Sequence, residues 1–175
     1  RGIKGPSSKF CPPVYPSIDC EPCKSFKRIN DRLIECVTDD GVGRNKFVNV
    51  KLGNLDVEQK NGLFNYDGPV VTKVRPLHGP TTGGNTLHIT GSNFGTNIKA
   101  ITKKGCNKGS APTMSVGEIP CAKLVVLSNT EARCTLSSQP GVGKNLPVAY
   151  SVGGQVAPTN SDPDALYSFD TPEIS

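Results

Sequence analysis

At 175 residues the chain has room for one large domain or two small ones. Apolar residues make up only 35%, tryptophan is absent, and 19 glycines and 15 prolines punctuate the sequence, which suits many short strands and turns around a thin core. The formal charge of +5 is mild and lacks interleaved aromatic residues, arguing against a nucleic-acid surface, and no apolar run is long enough to span a membrane.

The first stretch carries Cys11 and Cys20 around Pro12-Pro13 and Pro16, then Cys23 and Cys36 thirteen positions apart. Gly41-Val42-Gly43-Arg44-Asn45 follows, then Phe47 to Gly53, then Phe64-Asn65-Tyr66-Asp67-Gly68-Pro69. From Pro69 the elements are fuller. Val70 to Val74 is β-branched and predicts a strand that Pro76 ends. His78 to Asn85 predicts a turn cluster, and Thr86 to Thr90 alternates polar with apolar as a half-buried strand does. Gly91 to Gly95 predicts a second turn with Phe94 as a core plug, and Ile98 to Ile101 a further strand. Gly105 to Pro112 is a loop holding Cys106. Met114, Val116 and Ile119 lead to Cys121, Leu124 to Leu127 predicts a buried-type strand, and Ala132 to Leu136 returns with Cys134. Pro147 to Val152 and Leu166 to Phe169 finish a sheet, and no segment has a helical period of helical length.

Much of this occurs twice. Cys121 and Cys134 repeat the spacing of Cys23 and Cys36, and Gly141-Val142-Gly143-Lys144-Asn145 repeats the earlier Gly-Val-Gly-basic-Asn run. Tyr167-Ser168-Phe169-Asp170-Thr171-Pro172 answers the stretch from Phe64 to Pro69. A period near one hundred residues decides architecture before any local motif does. Equal cysteine spacings at matched places favour disulfides in an oxidising compartment over zinc, which would want further paired ligands, and over buried free thiols.

Catalytic chemistry finds little support. The glycine-rich runs precede strands, whereas a phosphate loop opens a helix. His78 and His88 are the only histidines, and no nucleophile elbow is present. Asp39-Asp40, Asp162 and Asp164 could offer calcium oxygens, but they form no full ligand set and read as solvated loops. Lys99, Lys103, Lys104 and Lys108 read as a solvated loop, with a patch for acidic glycans or an acidic partner as the sharper alternative. No cofactor is implied.

The run Val74-x-Pro76, Gly79-Pro80-Thr81-Thr82-Gly83-Gly84-Asn85-Thr86-Leu87-x-Ile89-Thr90-Gly91-x-Asn93-Phe94-Gly95 resembles the opening signature of the IPT/TIG domain. Val116-Gly117, Cys121, Cys134, Pro140-Gly141-x-Gly143 and Val152-Gly153-Gly154 stand where that family's pattern continues. The resemblance implies an all-β chain of tandem immunoglobulin-like sandwiches: residues 1–68 as the C-terminal part of a first repeat, 69–171 as a complete one, and 172–175 as a linker or the start of another. It also implies pairing of Cys23 with Cys36 and of Cys121 with Cys134. Cys11 with Cys20 is a weaker pairing, and Cys106 is left free or bonded to another unit or chain.

In cell-surface members of the family, such units form stalks and binding arrays. The expected function is therefore a non-enzymatic extracellular or cell-surface module for spacing, adhesion or assembly. Its partners would be neighbouring repeats, other copies or a surface ligand, with glycans open, and membrane attachment would reside in regions outside this chain. Gly141, Val142, Gly143, Lys144 and Asn145 are candidate contact points between units, and equally plain hairpin turns. A filament subunit completed by strand complementation and a Rel-like DNA-contacting domain are the competing expectations.

Overall fold

The computed structural model describes residues 14–18, 21–52, 54–95 and 111–171. The chain divides into two compact units, Arg1–Asp39 with Asn45–Phe64, and Asp40–Arg44 with Asn65–Ser175. The described residues are all-β apart from one 3-10 turn, Pro163–Ala165.

In the first unit, β1 (Val14–Ile18), β2 (Glu21–Pro22), β5 (Lys46–Leu52) and β6 (Leu55–Phe64) form an antiparallel sheet in the order β2-β1-β5-β6. A separate hairpin joins β3 (Ser25–Asn30) to β4 (Leu33–Val37). Its apolar side chains are poorly covered: Phe26 is 43% and Val37 57% exposed.

The second unit is a sandwich. One layer runs in the order β7 (Val70–Arg75), β9 (Thr86–Ser92), β12 (Glu131–Leu136), β11 (Ile119–Val126). The other contains β10 (Thr113–Val116), β13 (Leu146–Val152), β15 (Leu166–Phe169) and β8 (His78–Gly79), with β14 (Gln155–Val156) also on β13. The β10–β11 hairpin connects the layers through Val116↔Ile119 and Ser115↔Pro120. Alternate residues of each strand turn inward. Leu87 and Ile89 from β9, Ala132, Cys134 and Leu136 from β12, and Val148, Tyr150 and Val152 from β13 thus meet in one core. A register shift between Val71 and Lys73 lets both Val71 and Val74 face that core despite their odd spacing. Phe94 fills the centre, its ring 4.6 Å from that of Tyr150, whose hydroxyl donates to the Phe94 carbonyl at 2.9 Å. Burial pushes the Tyr150 phenol above its ordinary pKa.

The duplication extends to register. Ile18↔Val48 corresponds to Val116↔Val148, Ser17↔Pro22 to Ser115↔Pro120, and Phe26↔Cys36 to Leu124↔Cys134. Lys46↔Phe64 likewise corresponds to Leu146↔Tyr167.

Two expected elements differ. The stretch from Leu124 to Leu127 is only half buried, because its layer is covered on one side only: Leu124 and Val126 pack against the core, while Val125 and Leu127 face outward, the latter 51% exposed. His78 and Gly79 do more than turn: they pair in parallel with Ser168 and Phe169, adding an edge strand. The expected strand at Ile98–Ile101 lies outside the described residues.

Phe94→Ala should cost about 3–5 kcal/mol through the cavity it leaves, whereas Val125→Ala on the outer face should cost less than about 1 kcal/mol. Urea denaturation of both variants checks this contrast.

Candidate functional site

The two Gly-Val-Gly-basic-Asn runs are built alike. Neither forms a hairpin turn: Gly141–Asn145 carries the chain from β12 to β13, strands that do not pair with each other. A Cβ placed on Gly141 would enter the Phe169 ring, and one on Gly41 the Tyr66 ring, so only glycine lets the backbone lie on the aromatic face. Phe169 N–H donates to the Gly143 carbonyl at 2.9 Å, and Tyr66 N–H to the Gly43 carbonyl at 3.0 Å. Gly43 (φ 95°) and Gly143 (φ 121°) are left-handed, as are Asn45 (φ 58°) and Asn145 (φ 53°), where asparagine is the tolerated side chain. Gly141 N–H also donates to the Thr81 carbonyl at 2.7 Å, and Asn145 N–H to Ser168 Oγ at 3.0 Å.

The copies differ in what covers them. Asp40–Arg44 is part of the second unit. There Val42 lies against Gly95 and Gly153, where added Cβ atoms would stand 2.7 and 3.0 Å from its methyl groups. Gln155, itself buried, accepts from Gly43 N–H through Oε1 at 3.1 Å and donates from Nε2 to the Tyr66 carbonyl at 3.1 Å. Asn93 Nδ2 donates to the Gly68 carbonyl at 3.0 Å. Val142, in contrast, is 78% exposed, and Gly143, Lys144 and Asn145 are exposed beside it. Sequence reasoning missed Gln155. Its position directly after Val152-Gly153-Gly154 was the available signal, but nothing local announces a partner 112 residues away.

Cys121 and Cys134 are bonded across the β11–β12 hairpin with Cα atoms 5.6 Å apart, and Cys134 is fully buried. Cys23 and Cys36 are bonded at 5.8 Å in the matching place. Each bond closes about fourteen residues, roughly 3 kcal/mol in the chain-entropy model. Cys11, Cys20, Cys106, Lys99, Lys103, Lys104 and Lys108 lie outside the described residues.

Three of the remaining polar candidates, Asp162, Asp164 and His78, are engaged in structure. Asp162 caps the 3-10 turn by accepting from Asp164 N–H at 3.0 Å. Asp164 pairs with Arg75 at 2.6 Å, and the hydrogen bond and charge of that guanidinium hold its carboxyl below the usual range. His78 Nδ1 lies 2.8 Å from Asp170, and His88 stands apart on the outer face of β9. Among the described residues no three His, Cys, Asp or Glu side chains converge as metal ligands.

Gly141→Ala should therefore cost about 1–3 kcal/mol by overpacking, while Lys144→Ala stays within about 0.5 kcal/mol; thermal denaturation of the pair measures it. A carbon-13 NMR titration of Arg75→Met should show the Asp164 carboxyl rising toward its ordinary pKa. In the parent chain the pair's contribution is present above the unfolded carboxylate pKa, about 3.9, and is lost as pH falls through the lowered folded value.

The IPT/TIG domain model matches residues 69–167. Plexin-2 of Caenorhabditis briggsae is 26% identical over 121 residues, covering 69% of this chain and 6% of the relative. Plexin A3 of Danio rerio is 31% identical over 112 residues, covering 61% of this chain and 5% of the relative. The chain thus spans a small fraction of the curated relatives it matches. Among solved structures, the full extracellular region of Plexin A4 aligns at a TM-score of 0.45 and 13% identity, covering 96% of this chain and 25% of that one.

Proposed function

Because the chain belongs to the IPT/TIG domain family, we propose that it is a non-enzymatic extracellular module of a cell-surface protein, one stretch of an array of such units. Residues 1–68 belong to one repeat and 69–171 to the next, and the array spaces and presents protein-binding surfaces for adhesion or assembly. The observation that carries this reading is the repeated register, in which matched strand pairs and matched cysteine bonds recur about one hundred residues apart. Duplicated frames of this kind suit a stalk, since each unit brings its own stiffening bond and needs no chemistry at its centre.

Disulfides at both places fit an oxidising compartment. The Gly141–Asn145 loop, with its exposed valine and lysine, serves as a contact point of the array. The surface is mildly basic overall, which leaves an acidic protein or glycan partner compatible with it.

Intact mass with and without reductant, on the chain secreted from a eukaryotic host, tests the reading. The mass should rise by the hydrogens of the reduced bonds, and proteolysis without reductant should release peptides linking Cys23 to Cys36 and Cys121 to Cys134. Alkylation of all four of these thiols before any reductant is added would defeat the extracellular assignment.

A further inference from the structure

The covered and uncovered copies of one loop suggest what the uncovered copy binds. Val42 sits in a socket formed by Gly95, Gly153 and the buried Gln155 amide. The socket depends on absent side chains: a Cβ at Gly95 or Gly153 would strike Val42, and Gly153 would also strike the Gly43 backbone at 2.8 Å. Gln155 then matches the loop polar group for polar group, its acceptor taking Gly43 N–H and its donor reaching the Tyr66 carbonyl. Gly143 and Val142 repeat the knob, on the same left-handed glycine and the same aromatic seat, yet both are solvent-exposed.

We propose that the Val142–Gly143 knob is a docking element whose occupant is a further IPT/TIG sandwich of the same protein, carrying a socket equivalent to Gly95, Gly153 and Gln155. The proposal rests on the array reading above and names the partner of its contact loop. Three observations select this occupant. The earlier copy of the knob is already seated in a socket of this type within the second unit. The socket glycines fall in Asn93-Phe94-Gly95 and Val152-Gly153-Gly154, the runs that carry the resemblance to the family, so a unit with those runs brings the socket's glycines with it. In the sequence, Thr171-Pro172 follows the later knob as Gly68-Pro69 follows the earlier one. A second copy of this chain fits less well, since its socket is filled by its own Val42. Isolated exposed apolar residues are ordinary on protein surfaces; the repeated frame and the seated twin separate Val142 from that background.

The test is thiol labelling of Val142→Cys, corrected for the parent's own reactivity, with Val156→Cys as an exposed control (67% exposed). In the 175-residue chain both positions should react at comparable rates, with circular dichroism unchanged from the parent. In the full-length protein Val142→Cys should react at least about tenfold more slowly, independently of protein concentration, while the control keeps its rate; tenfold corresponds to about 1.4 kcal/mol of protection. Equal rates in the two contexts would overturn the proposal. Protection that grows with concentration would also overturn it, placing the occupant on another molecule. Either failure is separable from failure of the extracellular reading, which is decided by the bonding of the four cysteines.

Discussion

Closure of the sandwich depends on one close approach, the backbone of Gly141 lying on the ring of Phe169. β12 and β13 belong to different layers, so the chain between them must cross the end of the core. A side chain at Gly141 would lift that crossing off the aromatic ring and pull Phe169 N–H from the Gly143 carbonyl. The edge pairing of β8 with β15 starts from the same strand, with Asp170 N–H reaching the Gly79 carbonyl at 2.8 Å. One missing methyl group thus lets the returning strand, the crossing and the parallel edge meet.

The same device serves Gly41 and Tyr66, and it shows how duplication separates frame from surface. Backbone-determined features are kept in both copies: the left-handed glycine and asparagine, the strand registers and the cysteine bonds. Features that depend on the surroundings diverge. Gly43 is buried while Gly143 is exposed, although both stand in the same local conformation. The core also differs in depth. Cys134 is fully buried in the core, on a strand paired with both β9 and β11, whereas Cys36 is only partly covered, and β4 pairs with β3 alone among the described strands.

Elements whose cause is local could be read from the sequence. The alternation of Thr86 to Thr90, the β-branched run at Val70 to Val74 and the glycine-flanked Phe94 each carry their own periodic or turn signal. The doubled cysteine spacing pointed to the bonds because both partners sit within one hairpin. What escaped was set by distant partners. The outward face of Val125 and Leu127 depends on which side of the layer is covered, and the strand character of His78 depends on Ser168, ninety positions away. Gln155 reads as an ordinary surface amide until the backbone it serves, Gly43 and Tyr66, is folded against it.

The placement of the cysteine bonds also sets how such a module would answer a pull. Each bond ties two neighbouring strands of one hairpin rather than one layer to the other, and encloses a sequence separation of 13. A force transmitted along the chain therefore bypasses the enclosed residues, which remain folded over as a short-cut of under 6 Å between Cα atoms. About 40 Å per bond is withheld from extension, at roughly 3.3–3.6 Å per residue less that short-cut. Under tension the cysteine pairs act as stops on the length a unit can release.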